Sequence, residues 1–105
     1  MVDPIANFSS RTFAEQLHTT FNVGMADGSS IPLELTSVNE PAAPPGVEMF
    51  SVHFRGPRAP RLPQQIHHFQ HGKLGSFDLF ITTIAGDDQS TTYEAVFHRL
   101  RKKQP

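Results

Sequence analysis

Six histidines punctuate this chain: His18, His53, His67, His68, His71 and His98. Three of them fall within five residues, a density that invites a metal reading. The spacing argues against a local chelate. Residues 65–71 read as a strand bounded by Pro63 and Gly72. On a strand, His67 and His71 share a face but stand ~13 Å apart at ~3.3 Å per residue, while His68 points the other way. Structural zinc sites draw their ligands from tighter turns and helices. A cross-strand arrangement stays open: His53, His67 and His98, with Glu94, could converge on a cavity in a small-ligand-binding or metal-dependent barrel. His71 has a second use. A ring nitrogen just before Lys73-Leu74-Gly75 can accept hydrogen bonds from turn amides.

Arg55, Arg58 and Arg61 recur every third residue in a segment that also holds Pro57, Pro60 and Pro63. That period matches polyproline II, with three residues per turn, and would project all three guanidinium groups from one side. Such a row could hold an anionic group or an acidic partner surface through bidentate contacts. The plainer reading is a solvated loop whose arginines pair with Glu48, Asp78 or Glu94 and contribute little. Asp87 and Asp88 are adjacent, whereas calcium ligands alternate along a loop, so they read as turn residues. Glu94 alone is no catalytic dyad. The chain has neither a nucleophile-elbow motif nor a phosphate-binding glycine loop. It contains no cysteine, which removes disulfides, thiolate nucleophiles and cysteine-ligated metals. No catalytic residue, metal or cofactor is therefore assigned.

The elements that must position these side chains follow from length and pattern. A chain of 105 residues forms one domain and can bury a single core without staples. Nine of its aromatics are Phe, with one Tyr and no Trp, a set suited to a core more than to a recognition surface. The net charge is −1, but through Glu48 there are six acids and one base, and from Met49 onward four acids and eight bases. That split favours opposite faces or a self-complementary surface and is too weak to mark a nucleic-acid binder. No apolar run approaches the ~18 residues of a membrane span, and the N-terminus lacks the pattern of a signal peptide. A cytoplasmic, soluble protein is expected.

Along the chain, residues 1–9 read as a flexible arm. Ser9, Ser10 and Thr12 are candidate N-caps, with Glu15 three residues beyond Thr12 as in a capping box. A short helix follows, with Phe13, Leu17 and Ala14 on one face. Residues 19–25 alternate as a strand, with Phe21, Val23 and Met25 on one side. Asp27-Gly28 makes a hairpin turn into residues 31–38, with Ile31, Leu33 and Leu35 inward. Pro32 cannot donate to a ladder, which places that strand's start at a sheet edge. After the Pro-rich loop 39–46, residues 49–55 form the clearest strand, with Phe50, Val52 and Phe54 inward. The fourth strand, 65–71, buries its Phe69 side. The fifth, 77–84, turns Phe77, Leu79 and Ile81 inward. Phe80 and Ile84 break its alternation, which predicts either cover on both faces or a bulge near Thr82-Thr83. The sixth, 91–100, puts Tyr93, Ala95 and Phe97 on one face, and a frayed basic tail fills 101–105. Six strands without a strand–helix–strand crossover predict a mainly β, antiparallel barrel or sandwich. A partly open barrel with the helix over one end fits best.

Four runs, taken in order, resemble a known family: Phe54-Arg-Gly-Pro57, Leu62-Pro-Gln64, His71-Gly-Lys-Leu-Gly75 and Tyr93-Glu-Ala-Val-Phe97. They are similar to the uncharacterised bacterial DUF6916 domain family, over roughly residues 13–99. The resemblance implies one small domain and brings no assigned activity, substrate or catalytic residue. Association of the family with phage-tail-like or collar surroundings implies a structural or assembly role. His67 departs from the larger aromatic or aliphatic residue expected there.

Two functions compete. The first is a non-enzymatic interaction or assembly module docking by a sheet edge or by the Arg/Pro loop, with a protein partner or its own copies and without membrane or nucleic acid. The second is the barrel that binds a small ligand or metal through its His/Glu cluster. An interior pocket lined by those groups favours the second; a filled interior with an exposed apolar or charged patch favours the first.

Overall fold

In a computed structural model, residues 8–100 are described, with side chains through Arg99. The arm expected over residues 1–9 lies outside them except for Phe8 and Ser9, and the basic tail over 101–105 lies outside entirely. The elements are α1 (Ser10–Ala14), β1 (Thr20–Gly24), β2 (Ser30–Asn39), β3 (Val47–Pro57), β4 (Gln65–His71), β5 (Gly75–Gly86) and β6 (Ser90–Leu100). All neighbouring strands are antiparallel, and they close a barrel in the order β1-β2-β3-β6-β5-β4. Closure corrects the partly open barrel. The seam that closes it is narrow: β1 meets β4 through the rungs Asn22↔Gln70 and Val23↔Phe69.

The every-other-residue pattern holds on all six strands. Phe21, Val23, Ile31, Leu33, Leu35, Phe50, Val52, Phe54, Phe69, Phe77, Leu79, Ile81, Tyr93, Ala95 and Phe97 are all buried. A barrel this small has no room for a lumen, and these side chains fill it. Aromatic rings form a continuous stack through the interior, including Phe69 on Phe77 and Phe50 on Phe97, with centroids 5.6 and 4.3 Å apart.

Each end of the barrel is stoppered. At one end α1 lays Phe13 against Phe21, Phe50 and Phe97, and Phe8 reaches Phe77. The helix is capped by Ser9, whose hydroxyl accepts from the Thr12 amide while the Thr12 hydroxyl serves the Ser9 amide. The cap thus lies three residues before the Thr12–Glu15 box expected, and Ala14 is exposed. A five-residue helix is too short to hold itself, so Phe13 and the cap hold it. Arg99 secures the same end. Its Nε donates to Glu48 Oε1 at 2.8 Å, its Nη2 donates to the Phe8 carbonyl, and its guanidinium lies over Phe50 and Phe97. At the other end residues 58–64 cross the opening and insert Leu62, which is 1 % exposed. The Leu62 amide donates to the Tyr93 hydroxyl at 2.9 Å, so a polar group deep in the core is satisfied by the loop that covers it.

Pro32 sits in this second end rather than at the edge of an open sheet. It pairs with Asn22, but the β2–β3 ladder begins only at Glu34↔Arg55. In that register Pro32 would oppose Pro57, and neither has an N–H to give. The two strands part there. Gly56 lies in the parting, and a Cβ on it would stand 2.4 Å from Leu33 Cδ2. A bulge between Thr83 and Ala85 breaks the β5–β6 register close to the position expected.

Candidate functional site

The histidines separate into structural and exposed roles. His67 is buried, and its Nε2 donates to the Pro63 carbonyl at 2.8 Å, tying the end of the 58–64 loop to β4. His71 caps the β4–β5 turn: its Nδ1 accepts from the amides of Lys73 and Leu74 at 3.0 and 3.2 Å. That fixes the tautomer. The Nε2–H then donates to Thr19 Oγ1 at 2.8 Å, and the threonine hydroxyl donates on to the Gln16 carbonyl. Burial, and next the charge of Lys73, lower the pKa of His71 below its ordinary value, consistent with a ring held neutral. His98 is exposed on the outer face of β6, level with Met49 of β3.

His53 and Glu94 are brought together. They are neighbours in the β3–β6 ladder, both outward, with Nε2 donating to Oε2 at 2.9 Å. Both are about three-quarters covered. Glu40 and Pro41 from the loop after β2, with Asn39 and Ser51, complete an open groove of about 440 Å³ around the pair. The carboxylate orients the imidazole. Ser51 stands two residues from His53 along the same face of β3 and lines the same groove. Among the described residues no three His, Cys, Asp or Glu side chains gather where a metal ion could sit. Among the described residues the groups named for the ligand reading do not converge on one interior site: the His53–Glu94 pair faces outward, His67 holds the Pro63 carbonyl, and His98 is exposed on β6.

The three arginines fall in two elements. Arg55 belongs to β3, opposite Glu34 on one side and Thr92 on the other. Arg58 and Arg61 lie in the exposed loop, where the Arg58 carbonyl accepts from the Thr91 hydroxyl. Arg55 lines a second groove, about 350 Å³, with Glu34, Pro57 and Gln89 at the parting of β2 and β3. Asp87 faces this end as a turn residue. The amides of Gln89 and Ser90 hold its carboxyl below the usual carboxylate range, and Arg55 adds to that. The groove therefore carries charges of both signs and presents no net anion cradle.

One surface had only a weak signal in the pattern. Ile66, Phe80, Ile84 and Val96 are exposed by 65, 47, 47 and 64 %. Ile66 and Phe80 are partners in the β4–β5 ladder. Phe80 and Val96 both lie two residues past the last rung of the β5–β6 ladder, Thr82↔Glu94, and both point outward. The break in alternation at Phe80 and Ile84 was the clue; which strands stand beside β5 could not be read from it.

With the geometry in place, comparison with known proteins gives one match. The family model described as a domain of unknown function, DUF6916, covers residues 8–97. The chain belongs to that family. No curated protein and no solved structure matches it. The runs that carry the resemblance do structural work in this DUF6916 domain. Gly56 and Leu62 both meet Tyr93, at 3.5 Å from its ring for a Cβ on Gly56 and through the hydroxyl for Leu62, while His71 builds the turn at Lys73 and Leu74. Among the described residues no helix is long and apolar enough to cross a membrane.

Proposed function

We propose that this DUF6916 domain is a non-enzymatic interaction module that docks a protein partner on the outer wall of β4, β5 and β6. The observation that carries the reading is the exposed apolar group Ile66, Phe80, Ile84 and Val96. Isolated apolar residues on a surface need no explanation, but here two are ladder partners and a third stands across the adjoining strand boundary. Together they expose about two whole side chains' worth of area, on the order of 400 Å², which lies within the range of functional patches on single domains. Closure of the barrel leaves no strand as a free edge along its whole length, so the wall replaces the sheet edge as the main docking surface. The Arg58–Arg61 loop supplies a charged flank. A cytoplasmic setting belongs to the same proposal, and fractionation of the native host tests it.

The test is recovery of partners from the native host with three baits: the wild-type chain, Phe80→Ser with Val96→Ser, and Arg58→Ala with Arg61→Ala. A partner lost with the first double variant and kept at reduced yield with the second is expected. Equal recovery with the wall variant would refute the reading. The alternative of a small-ligand-binding domain rests on the His53–Glu94 groove. A ligand that raises the melting temperature of the wild type but not of Glu94→Gln would favour it.

A further inference from the structure

β5 and β6 part company above the Thr82↔Glu94 rung. β5 continues upward through residues 75–81, paired on its other side with β4 from His71↔Gly75 to Gln65↔Ile81. β6 continues through residues 95–100, paired on its other side with β3 as far as Val47↔Leu100. Among the described residues no rung joins residues 75–81 to residues 95–98. Two backbone edges thus face each other across a seam, each rigidly backed by a full ladder. Inside the barrel the Phe8 ring packs on Phe77 of β5 and on Phe13 of α1.

Exposed strand edges are templates for pairing, and folded proteins guard them with lysine, proline or a bulge. Along residues 75–81 and 95–98 the described edge holds no lysine and no proline, and the bulge between Thr83 and Ala85 lies below it. Its outward residues on β6 are Val96 and His98, and on β5 Asp78 and Phe80. Phe80 and Val96, both exposed apolar side chains, therefore flank a stretch where the β5–β6 ladder stops. Two independent features, open backbone and apolar flank, coincide at one place.

We propose that the seam is a strand-addition site, in which an extended segment of a partner protein pairs with the open edge of β6. The proposal rests on the reading of the wall as a docking surface and names what docks there. Backbone hydrogen bonds supply the affinity in this mode, and alternate side chains supply the choice of partner. Across the new ladder, a β-branched or aromatic residue belongs beside Val96, since apolar pairs are favourable cross-strand neighbours, and a carboxylate beside His98, whose ring N–H can donate to it. A second barrel is the poorer occupant. β5 stands beside the β6 edge and β6 beside the β5 edge, so a rigid body cannot lay its own edge there, whereas a single extended chain can.

The probe is a fluorescein-labelled eight-residue peptide in which valine and glutamate, in turn, alternate with serine. Two further copies are N-methylated on alternate amides, one copy for each edge of the peptide. Strand addition predicts that the parent binds, that one methylated copy binds like the parent, and that the other is weaker by about tenfold or more because its donors are gone. Hydrogen exchange should show amides among residues 95–98 unprotected in the free protein and protected with the parent peptide. Val96→Lys should abolish binding without lowering the melting temperature. Equal binding by all three peptides, or none by the parent, overturns strand addition; the docking-wall reading is judged separately, by whether Phe80→Ser with Val96→Ser loses the native partner. Seam amides protected in a dimer without peptide assign the edge to a second copy and overturn the proposal. Seam amides protected in the full chain but not after removal of residues 1–7 assign it to the chain's own N-terminal segment and overturn it as well.

Discussion

Gly56→Ala probes the tightest point of the barrel. Alanine's Cβ would stand 2.4 Å from Leu33 Cδ2, over an ångström inside normal contact, and 3.5 Å from the Tyr93 ring. The clashing atom ends a flexible side chain, which would ordinarily yield. Leu33, however, is fully buried, so any rotation drives it into packed neighbours. Overpacking of this kind costs about 1–3 kcal/mol, which for a domain of this size is a fall of roughly 5–20 °C in melting temperature. Thermal and urea unfolding followed by circular dichroism would measure it. The decisive measurement is a double-mutant cycle with Leu33→Ala. Alone, that change should cost about 2–5 kcal/mol through the cavity it leaves. In its background the added methyl enters the vacated space, so Gly56→Ala should be close to neutral, a coupling of at least ~1 kcal/mol. A Gly56→Ala protein as stable as wild type, or strictly additive costs, would refute the claim that Gly56 is required for the close approach of Leu33.

Three further outcomes follow from the same geometry. The folded His71 ring takes its proton at lower pH than the ordinary value near 6.5, so stability should be complete above that value and decline as pH falls through the folded pKa; urea midpoints across this window should drop more for wild type than for His71→Gln. Tyr93→Phe removes the acceptor of the Leu62 amide and should cost about 1–3 kcal/mol, with faster proteolysis in residues 58–64 than in the strands. Arg58→Ala with Arg61→Ala should leave the melting temperature within a few degrees of wild type, because both side chains are exposed, and a large drop would show them to be structural.

How legible the fold was depended on the range of the interaction. Period-two alternation is local, and it located all six strands and the inward side of each, including Phe69 over Ile66 on β4. Turn chemistry is local too: Asp87 accepts from the amides of Gln89 and Ser90, and His71 from those of Lys73 and Leu74. Three hydroxyls compete for the helix cap; Ser9, one of the three candidates, takes it, and its box partner is Thr12 where the pattern paired Thr12 with Glu15. The burial of Phe13 and the grip of Arg99 on Phe8 fix the chain's entry, and both span most of the sequence.

The candidate site shows the opposite balance. His53 and Glu94 were each visible, but their partnership depends on β6 lying beside β3, a neighbour 41 residues away. The same holds for the arginines, which the end of β3 divides between a strand and a loop. The apolar wall was foreshadowed by the broken alternation at Phe80 and Ile84, yet its continuity with Ile66 and Val96 needed the strand order. Side-chain alternation is written into consecutive residues, so the chain alone decided which residues face the core. Strand order, closure and the gap between β5 and β6 are settled only when all six strands compete to bury one interior, and no single segment carries that information.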